Sequence, residues 1–323
     1  MADGRNGAGS KMKAIVTGAT GFIGTALCRE LLEKGHEVFA VVRPGSAKKE
    51  KLNFGEMTGG EGQGSRLHIA ELPLEGLSEL PVHIEGADVF YHLAWNGSAG
   101  AEREDFEIQS TNIRYTAEAV RAAVKCGCKK FVGAGSQAEY GVVREKAVEY
   151  GTVPQPFMMY GAAKLAAYHM GGLAAKKEGI SFVWARIYSV YGMGENAGTL
   201  VSYVAGTLKK GGVPELSPCE NMWNFLEITD CARALLLLGE RQDTEGIYHV
   251  ASQDTRLLKE FVKEMRDVIA PGSALGFGVK RSDPERTFWL DPDTGRLREL
   301  GFREEVEFEE GIRRKMCRDA ADR

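Results

Sequence analysis

Three glycines stand at regular spacing near the start of the chain, between a hydrophobic run at 12–17 and an amphipathic stretch at 25–34. This pattern predicts a strand, a tight turn and a helix. Gly18 permits the turn, Gly21 lets the backbone approach a pyrophosphate, and Gly24 lets the helix pack closely against the strand. The helix N-terminus then faces the anion. We therefore predict a dinucleotide-binding turn rather than a glycine turn of purely structural role.

The alternation of strand and helix patterns over the first 185 residues predicts an α/β fold. Strands are expected at 12–17, 37–42, 67–72, 88–94, 130–134 and 181–186, and helices at 25–34, 106–125 and from 160 onward. Such alternation is typical of a Rossmann-type doubly wound parallel sheet. After residue 186 the pattern loosens, which indicates a smaller, mainly C-terminal lobe that covers the ligand crevice.

The expected domain organisation follows from these patterns. It consists of a flexible tail at 1–11, an NAD(P)-binding Rossmann domain at 12–185 with contributions from about 224–252, and a substrate-binding lobe at 186–223 and 253–323. Within the Rossmann domain, the stretch 53–65 is rich in glycine and charge and is expected to form a mobile loop.

Composition excludes several classes of protein. Of the 323 residues, 43% are hydrophobic and 27% are charged, and the net charge of −4 offers no footprint for nucleic acid or an anionic membrane. The longest apolar runs, such as 234–238, are too short to span a bilayer, and the N-terminus lacks the hydrophobic region of a signal peptide. We expect a cytoplasmic protein whose six cysteines are free thiols and whose scattered histidines bind no metal.

Tyr160 and Lys164 lie four residues apart at the start of an alanine-rich stretch. In a helix this spacing places the phenol and the ammonium on one face, an arrangement that also occurs on solvated helices. A free Tyr titrates near pH ~10, and a neighbouring cation is expected to lower the pKa of the phenol toward the range of a general acid/base. Ser136 follows the strand expected at 130–134, where ligands bind in open parallel sheets.

Arg43 follows the second predicted strand, where a Rossmann domain usually carries an acidic residue that binds the adenosine ribose. Guanidinium and ammonium groups pair with phosphate, so Arg43, followed by Lys48 and Lys49, suits the 2′-phosphate of NADP better than the hydroxyl of NAD. A solvated basic loop is the alternative interpretation. We predict NADP as the preferred cofactor, with NAD as the second choice.

Taken in order, several segments resemble those of the extended short-chain dehydrogenase/reductases, often called NAD-dependent epimerase/dehydratases. They are the cofactor loop at 17–24, the strand signature at 92–94, the helix asparagine Asn112, the catalytic positions Ser136, Tyr160 and Lys164, and the segments at 186–192, 224–230 and 300–302. The match covers almost the whole chain. Each motif alone is weak, but their shared order makes the resemblance strong.

The resemblance implies a role for each matched residue. Tyr160 would give or take the proton on the substrate oxygen, Lys164 would lower the pKa of Tyr160 and bind the nicotinamide ribose, and Ser136 would hold the substrate oxygen. The residues that it implies for cofactor binding are Gly18, Thr20, Gly21, Phe22, Ile23, Gly24, Arg43, Leu93, Ala94, Asn112, Tyr160 and Lys164.

Relatives of this kind commonly act on nucleotide-diphosphate sugars, so the resemblance implies such a substrate. The residues expected to contact it are Trp95, Gln137, Ser189, Asn196 and Arg281. Arg281 would pair with the diphosphate, and a solvated basic residue is the alternative. The resemblance also implies a homodimer formed through the helices that carry Asn112 and Lys164.

Departures from the family pattern narrow the expected reaction. The basic Arg43 replaces the acidic residue that is usual in NAD-retaining epimerases. Gln137 and Ala138 stand where sugar 4,6-dehydratases carry acidic residues, and Glu139 lies one place further on. Dehydration therefore lacks its usual acid and base. Tyr188, like Ser189 and Trp95, differs from the residue that is common in relatives, which indicates an unusual substrate.

These observations leave four functions to compare. We expect an NAD(P)-dependent oxidoreductase that reduces or oxidises a keto or hydroxyl carbon of a nucleotide sugar. An NAD-retaining nucleotide-sugar 4-epimerase would use the same Ser136, Tyr160 and Lys164. A reductase of non-sugar ketones is favoured by the basic residue at position 43, but the basic pair at 280–281 and the segment at 189–192 argue against it. A non-catalytic dinucleotide-sensing protein is a further alternative, because fold alone does not fix function, but it ranks low because Tyr160 and Lys164 are both present.

Overall fold

A computed structural model of the chain describes residues 11–55, 65–283 and 285–321, with side chains to residue 317. Most of the expected tail at 1–11 and of the expected loop at 53–65 lies outside the described residues. The strands are β1 (Lys13–Thr17), β2 (Glu37–Val42), β3 (Leu67–Glu71), β4 (Val89–His92), β5 (Lys130–Ser136), β6 (Ser181–Ile187), β7 (Ser189–Tyr191), β8 (Met222–Glu227), β9 (Gly246–Val250) and β10 (Thr255–Leu257). The α-helices are α1 (Phe22–Glu33), α2 (Leu80–His83), α3 (Phe106–Lys125), α4 (Met159–Glu178), α5 (Leu200–Lys209), α6 (Ile228–Glu240), α7 (Leu258–Ile269), α8 (Gly295–Glu299) and α9 (Phe308–Ala321).

The larger sheet has seven strands in the order β3-β2-β1-β4-β5-β6-β9, and every neighbouring pair is parallel. The strand order reverses between β1 and β4, and ligands bind at such a switch point beyond the carboxyl ends of the strands. The predicted α/β fold with a doubly wound parallel sheet is confirmed. The glycine turn follows β1, and Ser136 is the last residue of β5.

Helices cover both faces of this sheet, as its buried strands require. Residues of α1 and α6 pack on one face, and residues of α3 and α4 pack on the other. The second face contains a stack of Phe131, Phe182 and Trp184 with ring centroids 5.6 and 5.8 Å apart. The Trp184 indole fits only because Gly133 and Gly135 of β5 have no side chain, since a Cβ on Gly133 would meet it at 2.5 Å.

The C-terminal lobe is built on a second, three-stranded sheet in the order β10-β8-β7. Helices α5, α7 and α9 pack around it with a core of aromatic and aliphatic side chains. Strand β8 lies in this smaller sheet, whereas α6 packs on the larger sheet and β9 completes it. Within the described ranges, no helix is long and apolar enough to cross a membrane.

Candidate active site

The turn after β1 is tightly packed. Gly18 adopts φ +70°, and a Cβ there would lie 2.7 Å from the backbone nitrogen of Ala94. A Cβ on Gly24 would overlap the carbonyl of Gly18. Gly21 is the N-cap of α1 and provides no side-chain cap, so the first N–H groups of α1 are left to a ligand. Thr20, Phe22 and Ile23 stay partly exposed beside them.

The end of β4 is fixed to this turn by hydrogen bonds. The Oγ1 of Thr17 lies 2.9 Å from Nδ1 of His92, and the backbone nitrogen of Ala94 donates to the same Oγ1 at 3.4 Å. Leu93 donates from its backbone nitrogen to the carbonyl of Thr17 at 3.3 Å. Burial, reinforced by the nearby Lys164, lowers the pKa of His92 to about 3. His92 is therefore a neutral structural residue.

Asn112 holds the loop that follows β4. Its Oδ1 accepts from the backbone nitrogen of Asn96 at 3.0 Å, and its Nδ2 donates to the carbonyls of Asn96 and Ile108 at 2.9 Å. All of these contacts lie within the chain. Asn112 thus positions the loop after β4, which borders the expected cofactor site.

Ser136, Tyr160 and Lys164 meet at the carboxyl end of β5. The Nζ of Lys164 donates to the carbonyl of Ala134 at 2.7 Å and lies 5.8 Å from the ring centroid of Tyr160. The same Nζ stands 3.7 Å from the ring centroid of Trp95. Burial lowers the pKa of Lys164 to about 7, because the charged ammonium loses its water.

The pKa of Tyr160 is raised above its ordinary value, because burial disfavours the phenolate. The Ser136 hydroxyl and the Arg103 guanidinium act in the opposite direction but do not outweigh burial. The net shift of this pKa is thus opposite to the lowering that the spacing of Tyr160 and Lys164 predicts. The ammonium is engaged by the Ala134 carbonyl instead.

The loop after β4 places two further side chains on Tyr160. Trp95 meets the Tyr160 ring edge to face, with centroids 6.1 Å apart. The guanidinium carbon of Arg103 lies 4.5 Å from the centroid of the same ring. Gln109 holds this loop: it accepts from the indole nitrogen of Trp95 at 3.0 Å and donates to the carbonyls of Gly97 and Glu102 at 2.7 and 2.9 Å.

Sequence reasoning missed both Gln109 and Arg103. Gln109 lies three residues before Asn112, so the two amides share one face of α3. That spacing was the available signal for Gln109. Arg103 carried no comparable signal, because its position over Tyr160 depends on the path of the loop.

Glu139 points away from the crevice into the core. Its Oε1 accepts from the backbone nitrogen of Ser136 at 2.8 Å and from the indole of Trp184 at 2.9 Å, and its Oε2 accepts from Nε of Arg186 at 2.7 Å. Both members of the ion pair are almost completely buried, with Glu139 at 0% and Arg186 at 1% exposure. Glu139 therefore supports Ser136 from behind and does not face a substrate.

The expected substrate residues fall into two groups. Trp95 and Gln137 lie beside the trio of Ser136, Tyr160 and Lys164, and the Oε1 of Gln137 is buried with no hydrogen-bond partner among the described residues. Ser189 is a half-buried residue of β7, whereas Asn196 and Arg281 are exposed on the C-terminal lobe. The described hydrogen bonds and ion pairs do not join these three residues to the trio. In the same described ranges, no group of three potential ligands could hold a metal.

Arg43 is exposed just beyond β2. Lys49 is not free, because its Nζ pairs with Glu71 at 2.5 Å, and Glu71 also accepts from the backbone nitrogen of Gly45 at 3.1 Å. The expected basic cluster is thus partly neutralised.

Comparison with known proteins agrees with this geometry. The profile of the NAD dependent epimerase/dehydratase family matches residues 14–251. A UDP-N-acetyl-alpha-D-glucosaminuronate decarboxylase from Bacillus cytotoxicus is 23% identical over 94% of this chain and 96% of its own length. A dTDP-6-deoxy-L-talose 4-dehydrogenase (NAD(+)) from Aggregatibacter actinomycetemcomitans is 26% identical over 78% of this chain and 89% of its own.

Solved structures show the same fold. A UDP-N-acetylglucosamine 4-epimerase from Methanobrevibacter ruminantium superimposes with a TM-score of 0.84 at 20% identity, covering 97% of this chain and 99% of its own. A UDP-glucuronic acid 4-epimerase from Bacillus cereus, solved with UDP-glucuronic acid and NAD, gives 0.79 at 20% identity, covering 97% and 100%. The resemblance seen in the motifs is confirmed. The chain belongs to the NAD dependent epimerase/dehydratase family, an enzyme family of the extended short-chain dehydrogenase/reductases.

Proposed function

We propose that the protein is an NAD(P)-dependent oxidoreductase that reduces or oxidises a sugar carbon of a nucleotide-diphosphate sugar. The observation that carries this proposal is the meeting of Ser136, Tyr160 and Lys164 at the same carboxyl-end edge of the parallel sheet as the uncapped N-terminus of α1. The tight turn fits a dinucleotide, because Gly18 and Gly24 leave no space for side chains where the backbone must approach a pyrophosphate.

The chain's own residues supply binding, orientation and a proton. A bound dinucleotide supplies the hydride acceptor or donor. For reduction, the protonated Tyr160 gives its proton to the carbonyl oxygen of the sugar while Ser136 holds that oxygen. For oxidation, the Tyr160 phenolate takes the hydroxyl proton. The raised pKa of Tyr160 keeps the phenol protonated, as a proton donor in the reduction requires.

For the cofactor, we propose a preference for NADP over NAD. Arg43 is exposed and has no ion-pair partner among the described residues, so its guanidinium is available to a 2′-phosphate. Lys49 contributes less, because Glu71 neutralises it. The test is to compare the Kd values of NADPH and NADH for the wild type and for Arg43→Asp. We expect the substitution to reverse the preference, and a wild type that prefers NADH contradicts the proposal.

A nucleotide-sugar 4-epimerase is the second candidate. It is favoured by the two structural neighbours that are 4-epimerases of UDP-sugars. The same Tyr160 and Ser136 would serve, with no net redox change. An epimerase of this kind retains its oxidised dinucleotide through purification.

The first experiment is an absorbance and mass-spectrometric analysis of the dinucleotide that freshly purified, denatured protein releases. Turnover of UDP-sugars is then measured with and without added cofactor. Near-stoichiometric NAD, with turnover that needs no addition, favours the epimerase. An empty protein that consumes NADPH with a keto sugar favours the oxidoreductase. Failure to convert or bind any nucleotide sugar refutes the proposed substrate class.

We further propose a homodimer that forms through α3 and α4. Four large apolar side chains on or beside these helices are exposed: Phe106, Met159, Met170 and Leu173, at 65%, 42%, 53% and 66%. Exposed apolar residues that cluster on one surface mark an interaction site. Light scattering should give twice the chain mass, and Leu173→Glu should give a monomer. A monomeric wild type rules out the dimer.

We also propose that the protein works in the cytoplasm. All six cysteines are free thiols, and all except Cys317 are buried. Such usage is typical of a reducing compartment. Fractionation of the source cells tests this assignment, and recovery of the protein outside the cytoplasm contradicts it.

A further inference from the structure

Arg103 is a cation beside Tyr160 that has no counter-ion among the described residues. Its guanidinium lies over the Tyr160 ring, and its Nε is buried with no hydrogen-bond partner in the described part of the chain. In the described ranges no carboxylate lies within ion-pair distance of it. A buried donor that stays unsatisfied is costly, and such groups are rare in folded proteins.

The backbone on both sides of Arg103 is anchored. The carbonyl of Glu102 accepts from Gln109 at 2.9 Å. The carboxylate of Glu104 accepts from the backbone nitrogen of Met159 at 3.2 Å and pairs with Arg286 at 3.1 Å. These contacts join the loop to α3, to the start of α4 and to the C-terminal lobe. The position of Arg103 over Tyr160 is therefore built into the fold.

The crevice beside Tyr160 holds two basic side chains, those of Lys164 and Arg103. The neighbouring carboxylate, Glu139, is fully occupied by Ser136, Trp184 and Arg186 on the far side of the strand. An anion beside Tyr160 would gain a charge-assisted hydrogen bond from Arg103 without displacing an existing partner.

We propose that Arg103 binds a carboxylate on the sugar ring of the substrate, so that the preferred substrates are nucleotide-diphosphate sugar acids. The location selects this group over the diphosphate, because Tyr160 marks the reacting sugar carbon and the diphosphate lies toward the nucleotide. The unpaired Oε1 of Gln137 offers an acceptor for a sugar hydroxyl in the same place. This inference rests on the proposed function and narrows its substrate class.

The test compares the binding of UDP-glucuronate and UDP-glucose by calorimetry, with the dinucleotide present. The ratio of the two Kd values cancels any preference for the nucleotide. The wild type should bind UDP-glucuronate ~10- to 100-fold more tightly, the range expected for a hydrogen-bonded charge pair. Arg103→Met should remove this preference, while the affinity for UDP-glucose changes less than about threefold. Arg103→Lys should keep part of it, because the charge remains.

Arg114→Met is the matched control. Arg114 is a guanidinium on α3 that also lies over a tyrosine ring, that of Tyr115 at 5.2 Å, but its charge is paired with Glu118 at 3.8 Å. This variant leaves the contacts that anchor Arg103 in place and should keep the preference for the carboxylate. Loss of the preference in Arg114→Met as well would assign it to the general charge of the protein and overturn the inference.

Two further results overturn the inference and leave the proposed function standing. One is equal affinity of the wild type for both sugars together with turnover of UDP-glucose. The other is an equal loss of affinity for both sugars in Arg103→Met, which would mean that Arg103 only positions the loop. Absence of binding to the wild type by these two sugars and by every other nucleotide sugar tested refutes the proposed function itself, and the inference with it.

Discussion

The two sides of the candidate active site are built in different ways. On the cofactor side, Gly18 packs against the backbone of Ala94, and the side-chain amide of Asn112 makes three hydrogen bonds within the chain. On the substrate side, Arg103 and Gln137 each have a buried polar atom that finds no partner among the described residues. The side chains of the first side are satisfied within the chain, and only backbone N–H groups at the start of α1 are left to a ligand, whereas the second side has side-chain atoms that a ligand can satisfy.

Contacts on the cofactor side form when the chain folds, whereas some contacts on the substrate side form only when a substrate binds. A closely packed turn has its final shape before a ligand arrives, and a substitution there acts on stability and on the affinity for the dinucleotide. Unpaired groups carry a desolvation cost that binding removes, and a substitution there acts on turnover or on the KM of the sugar. Variants on each side should therefore change different measurements.

The largest expected effect is that of Tyr160→Phe, which should change turnover but not the affinity for the dinucleotide. Tyr160→Phe should reduce kcat ~10²- to 10⁴-fold, the usual contribution of a positioned acid/base, with the Kd of the dinucleotide unchanged. Steady-state kinetics and fluorescence titration measure the two quantities. Tyr115→Phe is a matched control, because Tyr115 also lies under a guanidinium, that of Arg114 at 5.2 Å. Near-full activity in Tyr160→Phe refutes the assigned role.

The next effect tests the support behind Ser136. Glu139→Gln leaves the buried Arg186 without its counter-ion and should lower the free energy of unfolding by ~3–5 kcal/mol. Urea denaturation measures this loss. The double variant Glu139→Leu, Arg186→Met removes both charges and should recover a large part of it. If Glu139→Gln is as stable as the wild type, the ion pair of Glu139 and Arg186 does not stabilise the structure behind Ser136.

On the cofactor side, Gly24→Ala sharpens the comparison. The new Cβ overlaps the carbonyl of Gly18, and the backbone there cannot move without distorting the turn. The free energy of unfolding should therefore fall by ~1–3 kcal/mol, and the dinucleotide should bind at least ~10-fold more weakly. Gly206→Ala is the control, because nothing lies within 4 Å of its Cβ position and it stands inside α5. That variant should be slightly stabilised. Normal dinucleotide affinity in Gly24→Ala contradicts the tight-turn interpretation.

Acid should also lower the stability of the protein through His92 on the cofactor side. The pKa of His92 is about 3 in the folded chain and near ~6.5 in the unfolded chain, so the unfolded state binds the extra proton between these values. The contribution of His92 to stability is constant above pH ~6.5 and falls by up to about 1.4 kcal/mol per pH unit below it. Urea titrations between pH 7.5 and 4.5 should show a shallower fall in His92→Gln. Identical slopes contradict this assignment.

The sequence was informative where chemistry depends on local spacing. The glycine turn, the alternation of strands and helices, and the pair Tyr160 and Lys164 are all set by neighbours along the chain, so their patterns predicted the fold and a candidate trio. The raised pKa of Tyr160 was not predictable in this way, because it arises from burial by distant segments. The stack of Arg103 on Tyr160 and the pair of Glu139 with Arg186 join residues 57 and 47 positions apart.

The smallest expected effect tests whether the substrate side needs its loop held in place. Gln109→Ala removes the contacts to Trp95, Gly97 and Glu102 but none to the glycine turn. Each lost hydrogen bond contributes ~1 kcal/mol, and water replaces part of it, so the KM of the sugar should rise ~3- to 10-fold. The Kd of the dinucleotide should stay within about twofold, because Asn112 still binds Asn96. A higher Kd of the dinucleotide with an unchanged KM of the sugar would mean that the loop belongs to the cofactor side. The boundary between the two sides would then lie elsewhere in the site.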